Sequence, residues 1–370
     1  MNIEKTLEKE GIEIVNSLTP LEINKIANTI SNKLCGAFPE HNLNPDKLCK
    51  AISHLNMYIA KFPTNDSVAK YFYKNNSIYF SDKIDLTDIN TLALHECIHF
   101  IQEIKNPSNK LIRLGLYKIS NSNKGMAINE AAVQYMASIA TKCENESVKY
   151  YGMDFNTVST DYYPIQTALI SQIAYFTGTY PLFHSTVFSD DIFENTVIAQ
   201  SNKTFYNTVC KNMDLLVHLE EQLARKAYEL FTLGEKASDS KVNKIHEKQE
   251  RIKKLILDTT ISTQNLILIN FANSELDKVE TIDNAKEFRK KLYDFKDYII
   301  NCPDYNFYNE FYVEMINKVT QRRELIENGE FVSNKELALI DTSKDPLYLI
   351  RTLFSKLRLL IEDTFREKEF

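Results

Sequence analysis

Glycine is scarce in this chain, and its scarcity narrows the choice of folds. The sequence has 8 glycines among 370 residues, roughly a third of the usual frequency. Glycine tolerates the positive φ angles that many tight turns require, so a fold built from many short hairpins is disfavoured. Hydrophobic residues make up 44% and charged residues 25%, which is a globular rather than a disordered composition. We expect a mostly α protein with long helices and little sheet.

Several other features are absent, and each absence disfavours a class of protein. Basic and acidic residues are mixed along a chain of net charge −6, so nucleic acid is not an expected partner. The N-terminus lacks a signal peptide, and no run approaches the ~20 apolar residues of a membrane span, so we expect a cytoplasmic protein with no membrane partner. The cysteines show no CxxC spacing, which fits a reducing cytosol and argues against a thiolate zinc site. They are Cys35, Cys49, Cys97, Cys143, Cys210 and Cys302.

Local patterns divide the chain into a mixed first half and a helical second half. Thr19, Pro20 and Glu22 carry the signature of a helix start with a capping box. Two β-rich runs, 71–73 and 77–80, flank an Asn-Asn turn. Further along, the patterns predict a helix from Thr87-Asp88 to about Lys105, a strand within 111–120, a helix from Ala127 to about Thr141, and helices almost throughout after residue 205.

The segment from Leu92 to Ile101 contains the pattern His-Glu-x-x-His inside a predicted helix. Residues four apart share one helix face, so His95 and His99 can present imidazole nitrogens to the same zinc ion. Glu96 is one residue further round the helix and lies beside such an ion. There a carboxylate accepts a proton from water as a general base. Charged residues do not flank the pair within this segment, as expected for a packed helix rather than a solvated one.

A catalytic zinc site takes three protein ligands, so a third must come from another element. Glu130 lies 31 residues after His99, in a predicted helix otherwise rich in Ala, Ile and Val. A carboxylate among apolar residues needs a partner to be tolerated, and a zinc ion is one. We therefore predict a Zn²⁺ site formed by His95, His99 and Glu130.

The sequence HECIH followed by NEA one helix later resembles the gluzincin division of zinc metallopeptidases, in particular its thermolysin-like members. The resemblance extends from the strand near residue 78 to the helix that ends near residue 141. It implies that His95, His99 and Glu130 are the metal ligands, that Glu96 is the base, and that a substrate cleft follows an edge strand. Thermolysin-like enzymes have an Asp four residues after the ligand Glu to orient a ligand histidine, whereas this chain has Gln134. An amide oxygen at that position can also accept the imidazole N–H.

Hydrolysis of a peptide bond also needs a hydrogen-bond donor for the oxyanion that forms when water attacks the carbonyl. Tyrosine and histidine are the usual donors. The sequence offers several and does not choose among them; His184 follows Glu130 by 54 residues, at a distance suited to a donor from a following helical element. The candidates are Tyr117, Tyr162, Tyr163 and His184.

These observations predict a zincin-like catalytic unit with a small β-sheet in residues 1–205 and a helical domain in residues 206–370. The expected function is zinc-dependent hydrolysis of peptide bonds in a peptide or protein substrate, with Glu96 as the base and His184 among the oxyanion donors. One alternative is a catalytically silent protein that keeps the zincin scaffold for binding or regulation, against which the intact Glu96 argues. The other is a helical interaction protein in which the motif is accidental, which would bind no stoichiometric metal. No pattern indicates an oligomeric state.

Overall fold

The structure is a computed structural model that describes residues 3–63, 69–83, 91–119, 124–233 and 238–329. Over these residues the chain is mostly helical with small sheets, which confirms the expected α+β class. The helix start predicted at Thr87-Asp88 lies outside the described residues, as does the predicted helical domain past residue 329. None of the described helices is both long and apolar enough to cross a membrane.

The described residues form two compact units. The first comprises those up to Glu146 together with Thr157–Val197, and the second comprises Ser147–Asn156 together with those from Ile198 onward. In chain order the first unit contains α1 (Ile3–Glu10), β1 (Glu13–Ser17), α2 (Pro20–Ala37), α3 (Pro45–Ile52), β2 (Asn56–Lys61), β3 (Ala69–Phe72), β4 (Ser77–Ser81), α4 (Thr91–Ile101), β5 (Glu103–Lys105), β6 (Leu111–Leu114), β7 (Tyr117–Lys118), α5 (Met126–Ala140), α6 (Pro164–Thr177), α7 (Thr179–Phe188) and the larger part of α8 (Ile192–Gln200).

The predicted capping box begins α2. The Thr19 side chain accepts from the Glu22 N–H at 3.4 Å, and the Glu22 carboxylate accepts from the Thr19 N–H at 2.7 Å. Pro20 occupies the first turn, where its missing N–H costs no helical hydrogen bond. Ile26, Ile30 and other apolar residues of this helix are buried, so the periodicity in the sequence marks the packed face.

A four-stranded sheet with the order β1-β2-β4-β3 precedes α4. Its two inner strands run parallel, and β3 pairs antiparallel to β4 with Tyr71 opposite Ile78. All five residues of β4 are buried, in keeping with the three consecutive hydrophobic residues Ile78, Tyr79 and Phe80 at its centre. Strand β3 is the outermost strand on one side and packs against α4. The two predicted β-rich runs are therefore the edge strand β3, beside the motif helix, and its inner neighbour β4.

The helix predicted to run to about Lys105 is shorter than expected and ends at Ile101. Gln102 follows it, and Glu103–Lys105 form β5, which pairs with β6. The segment 111–120, which the sequence predicts to contain one strand, forms a hairpin of two strands, β6 and β7. The turn between them contains Gly115 at φ +56°, a backbone conformation that glycine adopts without strain. Strands of two to four residues are too short for the alternation of apolar and polar residues to be distinguished from the spacing of a neighbouring helix.

Helix α5 packs against α4 on one side and α6 on another. Eleven of its residues are buried, and small residues such as Ala131 and Ala132 let the neighbouring helices approach closely. Its start and end agree with the predicted alanine-rich helix. This packing determines where the side chains of α4 and α5 meet.

The second unit contains β8 (Glu146–Tyr150), β9 (Met153–Thr157), α9 (Lys203–Leu233), α10 (Asp239–Asp277), α11 (Ile282–Asp294) and α12 (Phe307–Glu327). Its strands pair with each other, and Asp154 also exchanges two backbone hydrogen bonds of 2.9 Å with Asn301. Helices α9 and α10 form a long hairpin, whose core includes the edge-to-face pair Phe205 and Phe271. Helical periodicity in the sequence identifies the buried positions of the last helices, for example Phe288 and Met315.

Candidate metal centre

Helices α4 and α5 bring three potential metal ligands together inside the first unit. His95 and His99 lie one turn apart on α4 and are 5% and 7% exposed. Glu130 comes from the first half of α5, with a side chain 19% exposed. The predicted ligand set therefore lies at one place, at the contact between the two helices.

The ligand atoms form a small triangle. The two histidine Nε2 atoms are 2.9 Å apart, and each is 3.3 Å from the same Glu130 oxygen, Oε2. Atoms that share one tetrahedral zinc at bond lengths of 2.0–2.1 Å are separated by about 3.3 Å. The two sides that meet at Glu130 have this length, and the side between the histidines is shorter. The group could hold a metal ion.

The orientation of His95 is determined by a directed series of hydrogen bonds. Its Nδ1 lies 2.9 Å from Gln134 Oε1, the contact that the spacing from Glu130 predicts. The Gln134 amide nitrogen donates to Ser159 Oγ at 2.9 Å, and the Ser159 hydroxyl donates to the Tyr162 carbonyl. Because a carbonyl only accepts, Gln134 must turn its oxygen towards His95. The Nδ1 of His95 therefore carries the proton, and its Nε2 is bare.

The same logic applies to His99. Its Nδ1 lies 2.8 Å from Gln102 Oε1, and the Gln102 amide nitrogen donates to the Thr186 carbonyl at 2.9 Å. Asn129 supports this amide by donating to Gln102 Oε1, while its own oxygen accepts from the Leu116 N–H. The amide of Gln102 is therefore anchored on the backbone. It selects the tautomer of His99 that leaves Nε2 without a proton.

Three hydrogen-bond acceptors thus face one another without a donor between them. Two bare imidazole nitrogens and a carboxylate repel each other unless a cation lies among them. In the metal-free chain that cation is a proton: burial lowers the pKa of His99, but Glu130 outweighs this effect and raises it to about 9. Burial also opposes ionisation of Glu130, yet the two histidines hold the pKa of its carboxyl well below the usual range. A metal ion with N and O ligands satisfies the same arrangement.

Glu96 points from the same helix towards the edge of the sheet. Its Oε2 accepts a hydrogen bond of 2.7 Å from the backbone N–H of Tyr71 in β3. Because this N–H bonds a side chain of α4, it points away from β4, where Tyr71 lies opposite Ile78. The carboxylate is therefore held by the edge strand and does not join the triangle of ligand atoms.

Among the candidate oxyanion donors, Tyr163 lies beside the metal centre. Its ring stacks on that of His95 with centroids 6.4 Å apart and an angle of 15° between the planes. It precedes α6 with φ +51°, in the left-handed region that residues other than glycine rarely adopt. The chain reaches this position directly after Ser159 and Tyr162, which belong to the support of His95.

His184 has a different environment. It lies on α7 with Nδ1 2.9 Å from Asp190 Oδ2, and its ring packs against Tyr180, Phe188 and His41. Within the described part of the chain, His184 contacts none of the three ligands. Tyr117 lies in β7 and Tyr162 contributes its backbone carbonyl to Ser159. Of the four candidates, Tyr163 is the one that the structure places in contact with a ligand ring.

Comparisons with models of protein families, with curated proteins and with solved structures find no match. The function must therefore be inferred from the geometry of this site.

Sequence reasoning missed three contributors to the centre: Gln102, Ser159 and the backbone N–H of Tyr71. Gln102 lies three residues after His99, within reach along the same helix, and this spacing is a signal that the sequence did contain. Ser159 lies 25 residues after Gln134 and Tyr71 lies 25 residues before Glu96. Only the tertiary fold brings these distant groups together.

Proposed function

We propose that this chain is a zinc-dependent peptidase of the gluzincin type, with His95, His99 and Glu130 as zinc ligands. The observation that carries the proposal is the convergence of three acceptors whose hydrogen-bond partners leave no donor between them. Two imidazoles and one carboxylate are the donor set of many hydrolytic zinc sites. Bound there, zinc lowers the pKa of a water molecule and polarises a carbonyl group.

Glu96 is positioned to act as the general base. It is adjacent to His95 in sequence but is not directed at the ligand atoms, so its carboxylate is available to take a proton from the attacking water. The Tyr71 N–H occupies one carboxylate oxygen, Oε2, and leaves the other free for the water. This hydrogen bond also restricts the rotation of the side chain, which keeps the base in one orientation.

Tyr163 is the proposed oxyanion donor. Its ring is stacked against His95, which keeps it next to the position where the scissile carbonyl must lie if the zinc polarises it. A phenol donates one hydrogen bond, and a donor aimed at the developing negative charge stabilises the transition state more than the substrate. The unusual backbone conformation at Tyr163 is consistent with a functional position, because strained φ/ψ values cluster at active sites.

The proposed substrate is an extended peptide segment that lies along β3. This strand is the outer strand of its sheet, and the carbonyl of Tyr71 shares the outward edge with the N–H that holds Glu96. An extended chain can add to such an edge through main-chain hydrogen bonds. The base and the substrate-binding edge would then be joined by one hydrogen bond, which places the attacking water next to the bound backbone.

Two measurements on the full chain test the proposal. The first is the metal content of the protein purified without added metal, for which we expect about one zinc per chain. The second is hydrolysis of a mixed peptide library by the wild type and by Glu96→Gln. The amide keeps the shape of the side chain but cannot accept a proton, so this variant should retain zinc and lose turnover.

The outcomes separate the alternatives. A wild type that binds zinc stoichiometrically but cleaves no peptide would support a silent zincin scaffold used for binding. A wild type without stoichiometric metal would indicate that the motif is accidental. Turnover that survives in Glu96→Gln would contradict the role of Glu96 while leaving the metal site intact.

A further inference from the structure

A second site of unusual charge lies in the second unit, in the hairpin of α9 and α10. A surface cavity of about 350 Å³ opens between the end of α9 and the beginning of α10. Its volume is within the range of small-molecule pockets. Five cationic and two anionic side chains surround it: Lys226, Glu229, Lys241, Lys244, Glu247, Lys248 and Arg251.

Four of the cations form a stripe on one face of α10. Lys241, Lys244, Lys248 and Arg251 follow one another at intervals of three, four and three residues, which places them on one side of the helix. The stripe extends about 15 Å along the helix axis. Like charges at these intervals repel each other, and Lys241 lies in the first helical turn, where the helix dipole also disfavours a cation.

The four cations of the stripe lack the carboxylate partners that several other lysines of the unit have. Lys253, Lys286 and Lys290 each lie within 3.0 Å of a carboxylate on the same helix. Of the residues that the structure describes, none places a carboxylate within 4 Å of the charged nitrogens of the four stripe residues. Exposed lysines elsewhere in the unit, such as Lys203 and Lys211, also lack such a partner in the described chain, but the stripe places four unpaired cations on one helix face.

The two carboxylates at the cavity, Glu229 and Glu247, are outnumbered by its five cationic side chains. Glu229 lies 2.8 Å from Lys226 on its own helix, so its charge is already committed. Its hydrogen bond to Lys226, with further attraction from Lys241 and Lys248, lowers the pKa of Glu229. The proximity of both lysines shows that their charges converge on one region. A cavity with a large excess of positive charge is suited to an anion with several charges.

We propose that this cavity binds a compact polyanion with two or more linked phosphate groups. Concavity favours a small ligand over a flat polymer, and the length of the stripe accommodates several phosphates in a row. Lysine and arginine bind phosphate through charge-assisted hydrogen bonds, and those bonds are available here because the side chains have no carboxylate partner. Linear condensed phosphate and the triphosphate of a nucleotide share this chemistry.

The test is a calorimetric titration of the full chain with tripolyphosphate at physiological ionic strength, followed by the same titration with a nucleoside triphosphate. Lys244→Gln/Lys248→Gln should weaken binding by about tenfold or more, since two charge-assisted contacts are lost. Lys286→Gln/Lys290→Gln on α11 is the matched control, with the same change in charge and the same spacing. It should leave the dissociation constant unchanged. Zinc content is measured before and after, because polyphosphates also chelate metals.

One further variant distinguishes a ligand site from a merely basic surface. Glu229→Gln removes a carboxylate that competes for Lys226, so it should tighten binding of tripolyphosphate. Tighter binding of the nucleotide than of tripolyphosphate would indicate that the natural ligand is a nucleotide. Equal binding of the two would indicate that it is a condensed phosphate. Absence of tripolyphosphate binding by the wild type, or an equal loss in the α11 control, would overturn the proposal. Binding of a single-stranded oligonucleotide without binding of tripolyphosphate would also overturn it.

Discussion

The candidate metal centre of the first unit and the cationic stripe of the second unit differ in whether their polar side chains have partners within the protein. In the centre the Nδ1 atoms of both histidines have directed partners, from Gln134 and Ser159 on one side to Gln102 on the other. On the stripe, Lys244 and Lys248 are exposed and lack a carboxylate partner. Burial makes an unpaired polar group costly, whereas water screens an exposed one. The buried side chains of the centre therefore need hydrogen-bond partners from the protein itself, whereas water can solvate the charges of the stripe until a ligand binds.

The largest expected effect is loss of the metal from the centre. His99→Ala removes one of the three proposed ligands and leaves only Glu130 and His95 of the candidate group. We expect zinc occupancy to fall to near background, as measured by elemental analysis of purified protein. His246→Ala is the matched control, because His246 is exposed on α10 and bonds Gln249. Full zinc in His99→Ala would contradict the ligand assignment.

The two regions also differ in how much of their arrangement could be predicted from the sequence. The i, i+4 spacing of the histidines and the apolar surroundings of Glu130 are local patterns on single helices, so the group that could hold a metal ion was predictable from the sequence. The stripe on α10 also has helical spacing, but its lack of carboxylate partners depends on side-chain positions and on the approach of Lys226 from α9. Likewise the end of α4 at Ile101 depends on the pairing of β5 with β6, a contact that no local pattern contains.

Tyr163→Phe should have the next largest effect, on turnover rather than on zinc. Removal of one oxyanion donor typically lowers kcat by about 10²–10³-fold. Zinc content and the stacking on His95 should persist, because the ring is retained. Tyr162→Phe is the control: this residue contributes its backbone carbonyl, so its hydroxyl is dispensable for the support of His95. Equal kcat values for the two variants would remove Tyr163 from the mechanism.

Gln134 offers a test of the support around the ligands. Gln134→Leu takes away the acceptor for His95 Nδ1 and leaves Ser159 Oγ without its donor, so zinc affinity should fall by about 10–100-fold. Gln134→Asp keeps an acceptor at residue 134, charged and on a side chain one methylene shorter, and should keep or raise the affinity. Competition with a chromophoric chelator measures both. Unchanged affinity in the Leu variant would show that the tautomer of His95 is determined elsewhere.

The pH dependence of zinc binding follows from the proton that the metal must displace. The pKa of His99 is raised to about 9 in the metal-free chain, so below that value the free site holds a proton that the zinc-bound site does not. Affinity is therefore full above the raised pKa and should fall by about tenfold for each pH unit below it. Chelator competition at pH 7 and pH 8 checks the slope. An affinity that does not change between these values would show that no proton is released on binding.

The smallest effect concerns the link between Glu96 and the edge strand. Tyr71→Pro deletes the N–H that holds Glu96, and it removes no hydrogen bond between β3 and β4 because that N–H points outward. Proline is tolerated on an edge strand at such a position. Tyr71→Ala is the control, since it loses the same ring and the hydroxyl contact to Glu103 but keeps the N–H. We expect the Pro variant to have a kcat several-fold below that of the Ala variant at equal zinc content, because the base is then free to rotate.

Amide exchange supplies a measurement of this hydrogen bond that is independent of turnover: the Tyr71 N–H should be protected in the wild type and should exchange faster in Glu96→Ala. Equal kcat values in the Pro and Ala variants, together with unchanged exchange, would mean that the hydrogen bond neither orients the base nor couples it to the edge where the substrate is proposed to lie.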